Sequence, residues 1–306
     1  MVKHLLTLAD WKRKDVEEVL SAARKLKPVR DGSLLRNRTL LLLFEKPSTR
    51  TRVSFEVAIS QLGGRSIYMD SRTSQLSRGE SLRDTAQVLS RYVDFITARV
   101  YRQSALEELA RWAEIPVINA LSDLYHPCQG IGDMMTIMEK KGNGKLKIAF
   151  VGDGNNNVTH SLMLIASLFG HDMWVASPQG YEPNGSVVKK AIENHLHHGG
   201  DLELTDDPVE AVRDADVVYT DVWVSMGRED AKERMEALRP YQVNANLVKH
   251  AKKDHIFMHC LPAHAGQEVT QEVLYSKNSV VFDQAENRLH AQKGILAYLG
   301  GAVQSP

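Results

Sequence analysis

Residues 39–64 read TLLLLFEKPSTRTRVSFEVAISQLGG. The run Leu40 to Phe44 is wholly apolar, and with Thr39 it reads as a strand buried on both faces, as strands of parallel sheets are. A polar loop follows. Phe55, Ala58, Ile59 and Leu62 then recur at helical spacing. Gly63-Gly64 ends that helix, because glycine accepts the left-handed conformation that closes one. Strand, polar loop and helix in this order form the repeating unit of a parallel sheet.

The same alternation extends in both directions. An opening helix is expected from Trp11, Val16, Val19, Leu20 and Ala23, with Asp10 as its cap. Further strands are expected at 66–69, 95–101 and 117–121, with helices around 84–92 and 104–113 between them. From Lys145 the alternation starts afresh. Strands are expected at 147–151, 173–176, 202–204, 217–222, 256–261 and 279–282, and helices near 159–169, 186–194, 210–215 and 229–238. Residues 140–145, KKGNGK, are charged, glycine-rich and free of apolar side chains, so a domain boundary belongs there. The expected division is 1–141 and 145–285, followed by a final helix at 286–301. The 306 residues suit two domains of ordinary size.

Composition excludes several classes of function. Hydrophobic residues make up 43% and charged residues 25%, so the chain can build cores and is not disordered. Thirty-eight lysines and arginines balance thirty-eight acids, which leaves no electrostatic footprint for nucleic acid or an anionic membrane. No apolar run approaches the roughly 20 residues that span a bilayer. The start, MVKHLLTLADWKRK, carries charge too early for a secretory signal. Two cysteines make neither a disulfide framework nor a thiolate zinc site, so the reducing cytoplasm is the expected compartment.

In open parallel sheets, ligands bind beyond the carboxyl ends of the strands. Six polar clusters fall at such ends, three in each half: the loop from Glu45 to Arg52, Arg99, the segment around His126, Gly152 to Asn157, Asp221 with Ser225-Met226-Gly227, and His259 to Pro262. One cleft between two sheets accommodates all six.

Each cluster suggests chemistry and also has a plainer reading. Ser48-Thr49-Arg50-Thr51-Arg52 opens a helix, where unpaired N–H groups and the positive dipole end favour an anion. Three hydroxyls and the Arg50 fork suit phosphate oxygens; an ordinary cap with solvated arginines is the plainer reading. This is not a Walker loop, since its glycine-lysine spacing is absent. His126-Pro127-Cys128-Gln129 places His126 and Gln129 at a helix start, because proline suits the first helical position. His126 there could donate to a carbonyl oxygen that gathers charge, or simply cap the helix. Gly152-Asp153-Gly154 begins like a dinucleotide fingerprint but lacks the third glycine, so a nicotinamide cofactor is rejected. Asn155-Asn156-Asn157 could hold a zwitterion or form a turn. Asp221 could hold an α-ammonium or cap a strand end. Cys260 lacks the partners of a covalent nucleophile and could be a buried hydrophobe.

Taken together, the motifs at 48–52, Arg99, 126–129, 259–262 and DQAENR at 283–288 resemble the carbamoyltransferases. Asp221 with Ser225-Met226-Gly227 resembles the ornithine branch. The likeness runs from Leu43 to Lys293, with the motifs in the family's order. It implies an α/β fold of two doubly wound parallel-sheet domains with the active site in the cleft between them, the last helix packing back on the first domain. It also implies transfer of a carbamoyl group from carbamoyl phosphate to the δ-amine of L-ornithine, with no metal and no cofactor.

The implied carbamoyl phosphate contacts are Ser48, Thr49, Arg50, Thr51, Arg99, His126, Gln129, Cys260, Leu261 and Arg288. Gln75 matches a glutamine that a neighbouring subunit lends across a homotrimer. Arg50, Arg99, His126 and Cys260 are the implied catalytic set; Asn157, Asp221, Ser225 and Met226 are the implied ornithine contacts. Asn157 is preferred among the three asparagines because it directly precedes Val158. Ala265 stands where many relatives carry arginine, and Gly130 and Gly132 replace more usual alanine-like residues. The alternatives are a carbamoyltransferase for another amine (putrescine, aspartate or acylated ornithine) and a non-catalytic binding protein of the same fold.

Overall fold

The computed structural model describes residues 2–224 and 231–302. The chain divides into two compact units, Met1–Gly132 with Asn287–Pro306, and Asp133–Glu286.

The first unit contains α1 (Arg13–Leu26), β1 (Thr39–Phe44), α2 (Thr49–Gln61), β2 (Arg65–Asp70), α3 (Leu82–Leu89), β3 (Phe95–Arg99), α4 (Gln103–Trp112), β4 (Val117–Leu121) and the start of α5 (Pro127–Lys141). Its four strands are parallel in the order β2-β1-β3-β4. Every residue of β1 is buried, so both faces of that strand are covered. Leu41 and Leu43 pack with Ile96, Ala98, Leu106 and Leu109 in one apolar cluster. β2, at the edge, is more exposed along its whole length.

The second unit contains β5 (Lys147–Val151), α6 (Asn157–Phe169), β6 (Asp172–Ala176), α7 (Gly185–His198), β7 (Leu202–Thr205), α8 (Pro208–Val212), β8 (Val217–Tyr219), α9 (Ala231–Leu238), α10 (Ala245–Val248), β9 (Ile256–Met258), α11 (Gln271–Leu274) and the start of α12 (Val281–Leu299). Its five strands are parallel in the order β7-β6-β5-β8-β9.

Each sheet therefore reverses its winding once, at β1/β3 in the first and at β5/β8 in the second. Connections leave in opposite directions from such a pair, which opens a crevice at the carboxyl ends. Register sharpens the placement. Arg99 pairs with Phe44 across β1 and β3, and the Arg99 carbonyl accepts the Glu45 N–H at 2.8 Å. In the second unit the Thr220 hydroxyl donates to the Val151 carbonyl at 2.6 Å, tying the segment after β8 to the end of β5.

Several expectations need correction. The cap of α1 is Lys12, not Asp10, and Asp15 accepts the Lys12 N–H at 3.0 Å. β8 and β9 stop at Tyr219 and Met258, so Asp221 and Cys260 stand two residues past their strands. Residues 279–282 do not form a strand: Ser279 makes one parallel bridge to Phe257, and α12 begins at Val281. A short apolar run has the same sequence signature as strand and as the first turn of a buried helix. The compact units part at 132/133, inside α5. Glycines end a helix, but a helix can carry the chain from one core to another before it ends.

The Asn287–Pro306 part returns to the first unit. There α12 lies against α1 with little room at Gly294, where an added Cβ would sit 2.4 Å from the Val19 carbonyl oxygen and 2.9 Å from the Ala23 Cβ. Lys293, fully buried, donates to the carbonyls of Leu26 and Val29 at 3.2 and 2.6 Å, satisfying acceptors at the open end of α1. Gly294→Ala would raise helix propensity by about 1 kcal/mol but drive the new methyl into a backbone carbonyl. Overpacking costs about 1–3 kcal/mol. The expected net result is a lower melting temperature; an unchanged or raised one in calorimetry would show that α1 and α12 separate at no cost.

Candidate active site

In the first unit the groups converge on Arg288, the second residue of the part of α12 that belongs there. Its guanidinium donates to the Gln129 amide oxygen at 2.6 Å and to the Thr51 hydroxyl at 3.3 Å. All three residues are buried. Thus the starts of α2 and α5 are joined by a side chain from residue 288, far away in sequence. Ser48 caps α2, its hydroxyl accepting the Thr51 N–H at 3.3 Å. Thr49 and Arg50 occupy the same first turn and are exposed. No acidic residue lies in that turn, so nothing local opposes an anion at the helix N-terminus.

His126 is buried just ahead of Pro127. Burial, with the Arg288 and Arg99 cations nearby, holds its ring well below the ordinary histidine range. A neutral imidazole keeps one N–H to donate and adds no charge to a cationic surround. Cys128 is inert by comparison: its thiol donates to the Asn119 carbonyl at 3.3 Å, and burial pushes it up to about 12. Gln75 stands apart, exposed on a 3-10 turn (Gln75–Arg78) beyond the edge strand β2.

In the second unit Asp221 is buried. Its two oxygens accept from the Asn156 amide at 2.9 Å and the Cys260 thiol at 3.0 Å. Asn157 is the first residue of α6 and is half-buried. Ser225 and Met226 lie outside the described residues. Cys260 is thus brought to Asp221, and with Leu261 it belongs to the second unit, whereas the other expected carbamoyl phosphate contacts belong to the first.

The Cys260-Leu261 segment is held from behind. The Leu261 N–H donates to His259 Nδ1 at 2.9 Å, so Nε2 carries the ring proton and donates to Glu268 at 3.1 Å. The His264 N–H donates to the same Glu268 oxygen at 2.6 Å. Burial raises the Glu268 carboxyl, but the His259 and His264 hydrogen bonds outweigh it and hold it below its ordinary value. Gln284 accepts the His259 N–H at 2.9 Å and donates to Asp133 and Tyr219 at 2.7 and 2.9 Å. Leu261 adopts a φ of 56°, an outlier that survives only where its surroundings over-determine it. Asp221, His259 and Cys260 lie close enough together to suggest a metal site, yet both His259 ring nitrogens are already engaged.

Sequence reading preferred Asn157 over Asn156, the asparagine that meets Asp221, and it missed Glu268, Gln284 and the pair formed by Arg234 with Asp153, both buried. Arg234 also donates to the Trp223 carbonyl at 3.0 Å. No local pattern marks partners 81 residues apart. The DQAENR motif was visible, but nothing in it said that Gln284 faces the second unit's core while Arg288 serves the first.

Residues 3–139 match the family described as "Aspartate/ornithine carbamoyltransferase, carbamoyl-P binding domain", and residues 144–299 match its "Asp/Orn binding domain". The chain belongs to the aspartate/ornithine carbamoyltransferase family. A protein of Pyrococcus abyssi named ornithine carbamoyltransferase is 55% identical over 99% of this chain and 97% of its own. The solved ornithine carbamoyltransferase of Pyrococcus furiosus is 54% identical, covers 99% of this chain and 98% of its own, and superposes with a TM-score of 0.95. The anabolic enzyme of Campylobacter jejuni, 41% identical over 98% of this chain and 99% of its own, gives 0.93. The expected fold class of two parallel-sheet α/β domains is borne out at this identity.

His126 gives a direct check on the electrostatics of the first unit. Its ring is expected to stay neutral at pH 5.5, below the pH at which an ordinary histidine is half-protonated. ¹⁵N chemical shifts of the imidazole, assigned with His126→Gln, report this. A ring that titrates near 6.5 would mean that neither burial nor the Arg288 and Arg99 cations bear on it.

Proposed function

We propose that this chain is an ornithine carbamoyltransferase: it moves the carbamoyl group of carbamoyl phosphate to the δ-amine of L-ornithine, giving L-citrulline and phosphate. The observation that carries the ornithine side is Asp221. It is a buried carboxylate with an amide and a thiol for partners, and among the described residues no lysine or arginine pairs with it. A buried carboxylate lacking a cation is costly, so the site is built for a cationic ligand. The ornithine α-ammonium supplies that cation, and Asn157 beside it suits the α-carboxylate. Acylated ornithine lacks the ammonium, and putrescine lacks the carboxylate.

The first unit suits the other substrate. Ser48, Thr49, Arg50 and Thr51 at the start of α2 bind the phosphate; Arg99, His126 and Gln129 bind the carbamoyl end, with Arg288 bracing Gln129 and Thr51 and with the Cys260-Leu261 segment completing the set. The neutral δ-amine attacks the carbonyl carbon, a new C–N bond forms, and the C–O bond to phosphate breaks. The amine proton leaves with the phosphate or to water. Neutral His126 and cationic Arg99 donate to the oxygen that gathers negative charge, and Arg50 takes up charge on the departing phosphate. Ser225 and Met226 belong to the ornithine set by family resemblance.

We place the enzyme in the cytoplasm; both cysteines are free thiols, and among the described residues no helix is long and apolar enough to cross a membrane. Its product serves arginine synthesis, the direction that the name of the Pyrococcus furiosus relative carries. The assay is citrulline formation with ornithine, putrescine and aspartate in parallel. Ornithine alone is expected to react, and Arg50→Ala is expected to weaken carbamoyl phosphate binding while ornithine specificity is retained. Equal carbamoylation of putrescine, or tight carbamoyl phosphate binding by Arg50→Ala in calorimetry, would overturn the assignment.

The reading extends to a homotrimer in which each site borrows Gln75 from a neighbour. The exposed position of Gln75, past an edge strand, supports it. Gln75→Ala and Arg50→Ala subunits, each inactive alone, are expected to recover activity when dissociated and reassociated together. A neighbour with intact Gln75 then completes a chain with intact Arg50. Hybrids confirmed by mass but still inactive would rule out sharing.

A further inference from the structure

The neighbouring asparagines of the loop after β5 do different work, and we infer that Asn156 is a positioning residue that sets the Asp221 carboxylate for the ligand's ammonium group. This rests on the assignment of Asp221 above. Asn156 caps α6: its Oδ1 accepts the Val158 N–H at 2.7 Å. That bond fixes which end of the amide is which, so the NH₂ faces Asp221 Oδ2, at 2.9 Å. The other oxygen, Oδ1, takes the Cys260 thiol at 3.0 Å.

Sheet order explains the arrangement. β8 lies between β5 and β9. Asp221 follows β8, Asn156 follows β5 and Cys260 follows β9, so the carboxylate is held by the ends of both flanking strands. A carboxylate offers about four acceptor positions over its two oxygens. Asn156 and Cys260 use one on each, and the remainder stay available to an ammonium. The chemistry of the holder matters as much as its place. A lysine or arginine at 156 would fix the carboxylate but cancel its charge, whereas a neutral amide fixes it and leaves the charge for the ligand. Asn155, the other neighbour, is exposed, and its N–H bonds to Asp153 and to the Tyr181 carbonyl, so it is spent on the turn.

The two roles of Asn156 can be separated. Serine caps a helix about as well as asparagine but cannot reach Asp221 with an N–H. Asn156→Ser is expected to leave the melting temperature and carbamoyl phosphate affinity unchanged. The ornithine KM should rise about tenfold or more, the loss of one hydrogen bond to a charged group, with kcat within about twofold. Because Asn156 acts through Asp221, Asn156→Ser added to Asp221→Asn should cost nothing beyond Asp221→Asn alone. Losses that multiply in the double variant, or an unchanged ornithine KM in Asn156→Ser, would overturn the inference. If Asp221→Asn alone left the ornithine KM unchanged, the failure would lie instead with the assignment of Asp221 to the ammonium.

Discussion

A parallel sheet wound in both directions has one pair of adjacent strands whose connections leave to opposite sides, and no helix can cover the carboxyl ends of that pair. This constraint governs the placement of everything functional here. In the first unit the pair is β1 and β3, and the start of α2, Arg99 and the loop after Phe44 stand at its open end. In the second it is β5 and β8, with Asn156, Asn157 and Asp221 at the opening. The central strands are buried, and their carboxyl ends are where the sheets open.

The two units treat charge differently. The first gathers cations around a histidine that burial and arginines keep neutral, a surround that suits a phosphate and a carbonyl oxygen on its way to an oxyanion. The second buries carboxylates. Glu268 takes two hydrogen bonds on one oxygen, from the His259 ring and the His264 N–H of its own loop. Asp221 takes one hydrogen bond on each oxygen and, among the described residues, pairs with no lysine or arginine. Tyr219, beneath them, is buried beside Asp133, Cys260 and Asp221, and its hydroxyl is pushed well above the ordinary range. It therefore stays protonated and donates to Asp133 at 3.1 Å.

The passage of α5 and α12 from one unit to the other places side chains of a single helix in different surroundings. Gln129 bonds to Arg288 in the first unit, while Asp133 bonds to Gln284 in the second. Two helices thus carry both the link between the starts of α2 and α5 and a brace for the Cys260 segment within a few residues of each other. The charged glycine-rich stretch 140–145 ends α5, and the two family matches meet there, one ending at 139 and the other starting at 144.

Sequence by itself determined what depends on near neighbours. Strands 39–44, 117–121 and 147–151 lie where the sequence places them, because short, mostly apolar segments are satisfied by burial on both faces. The helix start at Ser48 and the αL glycine at 63 followed from capping chemistry, which acts over three or four residues. The polar groups at strand ends were legible for the same reason. Tertiary structure decided what those groups do. That Asn156 orients Asp221, that Glu268 holds His259, and that Arg288 reaches back to Thr51 are contacts between residues that the chain separates by 9 to 237 positions. Whether a buried polar group is a brace or a ligand contact depends on which of its hydrogen-bonding positions are already filled, and only the folded packing fills them.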